Sequence, residues 1–376
     1  MKITGVEYVE IAASSRGNWI IAAVETNAGI RGIGEASQSG NDRLTKEALL
    51  QLGERIEGMD PTQPEVIWEQ MARCTDIFSG DVGRALATAI SALDQAIWDI
   101  AGKALEVPVW RLLGGKRREK IRLYANLNRG TTDRSVEGFA TAAKRAVEAG
   151  FRAIKCTPFD EVRHDNIDRD GIERDLDLGV ARIAACREAA GEEVELLVDC
   201  HCRFNEFLAQ NVADKVRGLN LYWLEEPLPR DQTEAMRTFC QNSGLVIAGG
   251  ESFFGRQGFM DYVDHRAVHV IMPDVKHAGG ISECRRIAAM AETKNIPVAP
   301  HNPAGPVSTI ASVHIAATIQ NFLILEYAFG EVSWRHELVT PEEQIEDGFM
   351  VVPTGPGLGI ELNAEVMEAH LVMSPN

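Results

Sequence analysis

The sequence has no run approaching the roughly 18 apolar residues that a membrane-spanning helix requires. Its opening stretch, "MKITGVEYVEIAA", has no apolar signal-peptide core. Both absences predict a protein with no membrane association. Basic residues are scarce: 38 Lys and Arg stand against 55 Asp and Glu, for a formal net charge of −17. Nucleic acid and anionic lipid both require clustered cations, so neither is an expected partner. Low-complexity and poly-charge tracts are also missing. Cysteine occurs seven times, scattered over Cys74, Cys156, Cys186, Cys200, Cys202, Cys240 and Cys284. That odd, dispersed set predicts reduced thiols in a cytoplasmic protein rather than a disulfide framework. What the chain does have is 45% hydrophobic residues, ample for a large core.

The hydrophobic pattern changes along the chain. The first 35 residues alternate as strands, with "NAG" marking a turn before "IRGIGEA". Residues 42 to 115 read as helical, dominated by "GRALATAISALDQAIWDIAGKAL", and stop near Pro108 and the Gly114–Gly115 pair. From about residue 120, eight short apolar runs alternate with amphipathic helical stretches. That rhythm predicts a parallel α/β barrel. The expected organisation is a small α+β domain over 1–115, a barrel over 116–350, and a C-terminal segment, 351–376, returning to the first domain.

Barrel chemistry sits where strands end. Seven of the eight runs finish on a titratable group: Lys155, Asp199, Glu225, Glu251, Asp274, His301 and Glu326. Burying lone charges there would cost on the order of several kcal/mol each. Asp199, Glu225 and Glu251 lie 26 residues apart, one βα unit per step. Adjacent strands are about 4.8 Å apart, so the three carboxylates can converge. A hard divalent cation would relieve their repulsion, and three oxygen ligands with open positions suit Mg2+.

The stretch "VDCHCRF" also raises a zinc reading. Strand alternation puts Asp199, His201 and Arg203 on one face and Cys200 and Cys202 on the other, which splits a Cys–His–Cys site. The cysteines are then expected to pack toward the helices, with His201 beside the metal. Asp274 and His301 end adjacent strands and suit a carboxylate-oriented imidazole base. Lys155 sits in an apolar context. Glu326 is a candidate hydrogen-bond donor if its surroundings keep it protonated.

These residues, with "SALDQAIWDIAGKALEVPVWRLLGG", "WLEEP", "GGES", "MPDVKHAGG", "APH" and "LEYAFGEVSWR", occur in an order and spacing that resembles the enolase superfamily. The resemblance is to its mandelate racemase subgroup, and more narrowly to acid-sugar dehydratases of the galactonate type. It implies a modified TIM barrel, (β/α)7β, under an N-terminal α+β capping domain. It implies Mg2+ on Asp199, Glu225 and Glu251, with Glu226 outside the ligand set. It also implies a general base, His301, held by Asp274, and contact of Glu326 with the enolate oxygen. Lys155 is placed beside the substrate carboxylate, and His201 as the acid for the leaving hydroxyl. Many members carry Lys-x-Lys on the second barrel strand; here it is Lys155-Cys156-Thr157, and threonine cannot act as a second base.

The implied reaction abstracts the proton α to a carboxylate and eliminates the β-hydroxyl, giving a 2-keto-3-deoxy acid from an aldonate or aldarate. The alternatives are a racemase, epimerase or cycloisomerase on the same barrel, and a metal-binding homologue without turnover. Family members also imply a homo-oligomer, from dimer to octamer. Substrate contacts are expected from loops over the mouth: Arg16 and Trp19 in 14–19, Asp81 in 74–82, and Trp334, with Arg335 and His277 ambiguous.

Overall fold

In the computed structural model, the structure describes residues 1–74, 83–163 and 169–372; the candidate Asp81 lies outside them. An antiparallel sheet of β1 (Ile3–Ser14), β2 (Gly17–Thr26) and β3 (Arg31–Glu35) opens the chain. Three helices follow, α1 (Asp42–Ile56), α2 (Pro64–Cys74) and α3 (Arg84–Ala104), then the short α4 (Val109–Leu112). The "GIG" of β3 explains how α3 meets the sheet. A Cβ at Gly32 would lie 2.1 Å from Ala96 O, and one at Gly34 would lie 2.0 Å from Ala92 O. Glycine alone allows that backbone approach.

The barrel follows as alternating strands and helices. In chain order they are β4 (Lys120–Asn126), α5 (Val136–Glu148), β5 (Ala153–Cys156), α6 (Arg169–Ala190), β6 (Glu195–Asp199), α7 (Glu206–Val216), β7 (Leu221–Glu225) and α8 (Thr233–Asn242). Then come β8 (Ile247–Gly249), α9 (Gly255–Asp264), β9 (Val270–Ile271), α10 (Gly280–Glu292), α11 (Pro306–Thr318) and β10 (Leu325–Ala328). Strands β4 to β9 pair in sequence order, all parallel. The run "IPVAPH" contributes only bridges, with Val298 joining Ile271 and Phe322. Parallel pairing of β10 with β4 closes the ring. Eight staves and seven intervening helices make the (β/α)7β barrel, with the sheet-and-helix unit as its cap.

The barrel interior is a separate small core, in which Tyr124, Leu197, Trp223, Met272 and Ile324 pack among alanines. Tyr124 and Trp223 meet edge to face at 5.6 Å. This plug forms the floor on which the charged strand ends stand.

Buried carboxylates tie the cap to the barrel. Glu35 accepts from Gly305 N and Ser308 N at the start of α11. Asp94 accepts from Ser282 N and Ser282 Oγ at the start of α10. An acid at a helix N-terminus satisfies donors that have no partner within the helix. Near the C-terminus, Leu358 N donates to Asp99, Ala12 N to His370 O, and Val372 N to Glu10 O, so this segment lies against the cap. Among the described residues, no helix is long and apolar enough to cross a membrane.

Candidate active site

The barrel register brings the acids together. Asp199 and Glu225 are direct partners across β6 and β7, and Glu251 follows β8 by two residues. One carboxylate oxygen from each lies within 4.8 Å of the other two. Among the described residues, this is the one group of three or more metal-ligating side chains so arranged.

Each acid has a distinct setting. Glu225 is fully buried and accepts from Lys155 Nζ at 2.6 Å and Trp223 Nε1 at 3.0 Å. Burial pushes its carboxyl well up; Lys155 opposes this, and Asp199, Glu251 and Glu326 reinforce it. Asp199 also suffers burial, but His201 and Lys155 outweigh that and hold it below the ordinary carboxylate range. Glu251 Oε2 is buried with no hydrogen-bond partner. Three crowded oxygens, one of them unsatisfied, are what a hard divalent cation requires. The residues present therefore fit such an ion.

His301 stands beside them. Its Nδ1 is 2.7 Å from Asp274 Oδ2, and its Nε2 is 3.3 Å from Glu251 Oε2 and 3.8 Å from Glu326 Oε2. An ionised Asp274 can only accept, so it fixes the Nδ1–H tautomer and leaves Nε2 as the basic atom. Burial disfavours the imidazolium, but Glu251, Glu326 and Asp274 outweigh it and raise the pKa. Asp274 is kept ionised against burial by the Lys276 ammonium and by the hydrogen bond from His301.

Several local readings need correction. Alternation stops at Asp199, because His201 and Cys202 both adopt left-handed backbone, with φ of 49° and 56°. Cys200 does pack into the helix-facing core. Cys202 instead turns back, and its Sγ donates to Glu226 Oε2 at 2.8 Å. The same turn folds His201 onto Asp199, Nε2 to Oδ2 at 2.8 Å. The Asp199 charge, working against burial, pushes this imidazole up to about 9.

Glu326 meets donors at both oxygens. Asn126 Nδ2 and Lys155 Nζ approach one oxygen, and Asn302 N donates to the other at 2.9 Å. Burial favours its neutral form, but Lys155 and His301 prevail and lower the pKa. Lys155 is fully buried as the bridge between Glu225 and Glu326.

Sequence reasoning missed Lys276, whose Nζ is buried 3.2 Å from Asp274 Oδ2. Its place two residues past Asp274, inside the apolar stretch "IMPDVKHAGG", was the available signal. His277 is buried too, with Nδ1 2.8 Å from Thr88 Oγ1. Of the loop candidates, Arg16 lies exposed in the β1–β2 turn. Trp19 is fully buried, edge-on to Trp334 at 5.4 Å, and Trp334 stacks on His370. Among the described residues, neither tryptophan hydrogen-bonds to the acidic cluster.

Comparison with known proteins places this geometry. Residues 7–114 match the mandelate racemase/muconate lactonizing enzyme N-terminal domain, and residues 138–366 match the enolase C-terminal domain-like family. The chain belongs to the enolase superfamily. Its relatives include a protein of Haloferax volcanii named D-xylonate dehydratase, 32% identical over 94% of this chain and 85% of that protein. Another, from Ralstonia pickettii and named D-galactonate dehydratase, is 33% identical over 92% of this chain and 89% of its own length. A solved mandelate racemase/muconate lactonizing enzyme-like protein from Rubrobacter xylanophilus superposes with a TM-score of 0.90. It is 34% identical, and the match covers 98% of this chain and 97% of that one. This superfamily member thus shares most of its length with proteins named sugar acid dehydratases.

Proposed function

We propose that the chain is a Mg2+-dependent acid-sugar dehydratase, removing water from an aldonate or aldarate to give a 2-keto-3-deoxy acid. The observation that carries this reading is a single oriented base beside the acid cluster. His301 Nε2 is free to accept a proton while Asp274 holds Nδ1. Directly after the second barrel strand, which ends at Cys156, stands Thr157, whose hydroxyl is no base near neutrality. The names of the relatives from Haloferax volcanii and Ralstonia pickettii favour the same class.

Asp199, Glu225 and Glu251 would hold the Mg2+. Bound there, it would supply Lewis-acid stabilisation of negative charge on the substrate carboxylate. The protein side chains do the rest. His301 Nε2 takes the proton from C2. Lys155, locked between Glu225 and Glu326, sets a positive charge under the forming enediolate. The C3–O bond breaks, and its electron pair leaves with the hydroxyl oxygen. Hydroxide is a poor leaving group, because water has a pKa of about 15.7. His201, whose Nε2 is 2.8 Å from Asp199 Oδ2, donates the proton that turns it into water. The enol that remains tautomerises to the 2-keto acid.

Incubation with a panel of aldonates and aldarates and Mg2+ in D2O, followed by NMR, tests the proposal. A 2-keto-3-deoxy product supports it. An α-deuterated epimer would instead favour racemisation, and binding without turnover a non-catalytic protein; either result overturns it.

A further inference from the structure

One face of the cap helix α3 grips the loop that follows Asp274. Thr88, Ser91, Gln95 and Trp98 recur at helical spacing, so they share a face. Thr88 Oγ1 is 2.8 Å from His277 Nδ1. Ser91 Oγ accepts from Gly279 N at 2.9 Å. Gln95 Nε2 reaches Val275 O at 3.5 Å, and Trp98 Nε1 donates to Ser282 Oγ at 2.9 Å. All four side chains are buried. The cap thus splints the segment between β9 and α10.

The first of these contacts leads to the chemistry. His277 Nε2 is 3.8 Å from Asp274 Oδ2, the oxygen that faces His301 Nδ1 at 2.7 Å. His277 Nε2 is itself buried without a hydrogen-bond partner. Burial pushes the pKa of this imidazole well down, against the pull of Asp274 and with Lys276, Arg84 and His301 acting on the same side, so the ring is neutral. A neutral ring carries its proton on one nitrogen only. On Nδ1, that proton would leave the Nε2 lone pair against an ionised carboxylate. On Nε2, it aims an N–H dipole at the carboxylate, too far for a hydrogen bond but favourable as a charge–dipole contact. The second tautomer leaves Nδ1 needing a donor.

Thr88 supplies it. Its hydroxyl has one proton and two acceptors in reach, His277 Nδ1 at 2.8 Å and Arg84 O at 2.7 Å. Arg84 O is the regular helical acceptor for the Thr88 N–H, so it does not need the hydroxyl. Among the described residues, nothing else bonds to either ring nitrogen of His277. We propose that Thr88 is a positioning residue for the catalytic base: its hydroxyl donates to His277 Nδ1, and the ring held in this way points Nε2–H at the Asp274 oxygen that orients His301. The relay rests on the reading of His301 as the dehydratase base and goes beyond it, because it makes a helix of the cap part of the support for that base.

The test uses the full-length protein with Mg2+ and the sugar acid it dehydrates. Thr88→Val should lower kcat and α-proton exchange in D2O together, about 3- to 10-fold, the rate equivalent of one neutral hydrogen bond. KM should stay at the wild-type value. Thr88→Ser, which keeps the hydroxyl, should restore both rates. His277→Phe should also lower kcat, and Thr88→Val added to it should cost no further kcat, because the hydroxyl acts only through the ring. Ser91→Ala lies on the same face of α3 but bonds Gly279, so it should lower the melting temperature and leave kcat near wild type. A readout independent of turnover is 15N NMR of histidine-labelled protein without substrate. The signals lost in His277→Phe should belong to a protonated Nε2 and a bare Nδ1. A bare Nε2, a wild-type kcat in Thr88→Val, additive losses in the double variant, or an equal loss of kcat in Ser91→Ala would overturn the relay and leave the dehydratase reading intact. Failure of wild-type protein to dehydrate any sugar acid would overturn that reading, and the 15N tautomer would still decide whether Thr88 holds His277 as stated.

Discussion

Replacing Asp274 by Asn probes the dyad at one atom. Asp274 Oδ1 accepts from Lys276 N at 2.7 Å, while Oδ2 faces His301 Nδ1 at 2.7 Å and Lys276 Nζ at 3.2 Å. Asparagine has a single oxygen. The backbone N–H of Lys276 is a fixed donor, so that oxygen stays there and the amide NH2 turns toward His301. Two donors cannot face each other, so Nδ1 must become the acceptor. The ring proton then moves to Nε2, the atom that has to take the substrate proton. The same error of tautomer in a serine protease triad lowers kcat about 10,000-fold, equivalent to about 5.4 kcal/mol of barrier. The variant also strands the buried Lys276 ammonium, at a stability cost of about 3–5 kcal/mol. Adding Lys276→Met should recover stability without recovering kcat. Dehydration and α-proton exchange in D2O measure the catalytic loss, thermal unfolding the stability, and Mg2+ calorimetry the three untouched ligands. A kcat within tenfold of wild type would refute the assignment of His301 as an Asp274-oriented base.

Further substitutions address the other roles. His301→Asn should abolish solvent exchange of the α-proton, whereas His201→Asn should keep exchange and lose elimination; full dehydration by both variants would reject the division of labour. Lys155→Met leaves Glu225 and Glu326 buried without their shared cation, and should cost about 3–5 kcal/mol in denaturant melts. Lys155→Arg should not rescue it, because a bulky planar guanidinium does not reproduce the contacts of a fully buried ammonium that bridges Glu225 and Glu326. Removing divalent ions with a chelator should abolish turnover, and Mg2+ alone should restore it; Glu251→Gln should weaken Mg2+ binding in calorimetry. Gly280→Ala places a Cβ 2.3 Å from Asp94 Oδ2 at a φ of +76°, so it should destabilise the cap–barrel seam and lower the melting temperature.

The barrel and the identity of its charged strand ends were legible in the letters, because both come from periodic patterns. An apolar run of four to six residues that halts on an acid encodes a buried strand with a charged tip, and equal 26-residue spacing encodes adjacent staves. Asp199 and Glu225 are register partners for that reason. Local alternation, however, holds only while the backbone stays extended. It failed two residues past Asp199, where left-handed turns redirect His201 and Cys202.

What the letters could not carry was the protonation of Glu326 and the pairing of Lys155 and Lys276. Those depend on which groups surround a carboxylate in three dimensions. Asn126, Lys155 and Asn302, from three separate segments, all donate to Glu326 and together favour its charged form. Composition and spacing thus specify which charges line the mouth, since burial of apolar runs is a one-dimensional signal. The charge state and partner of each group emerge only when distant strands close the ring, because electrostatic energy depends on distances through space that chain separation does not record.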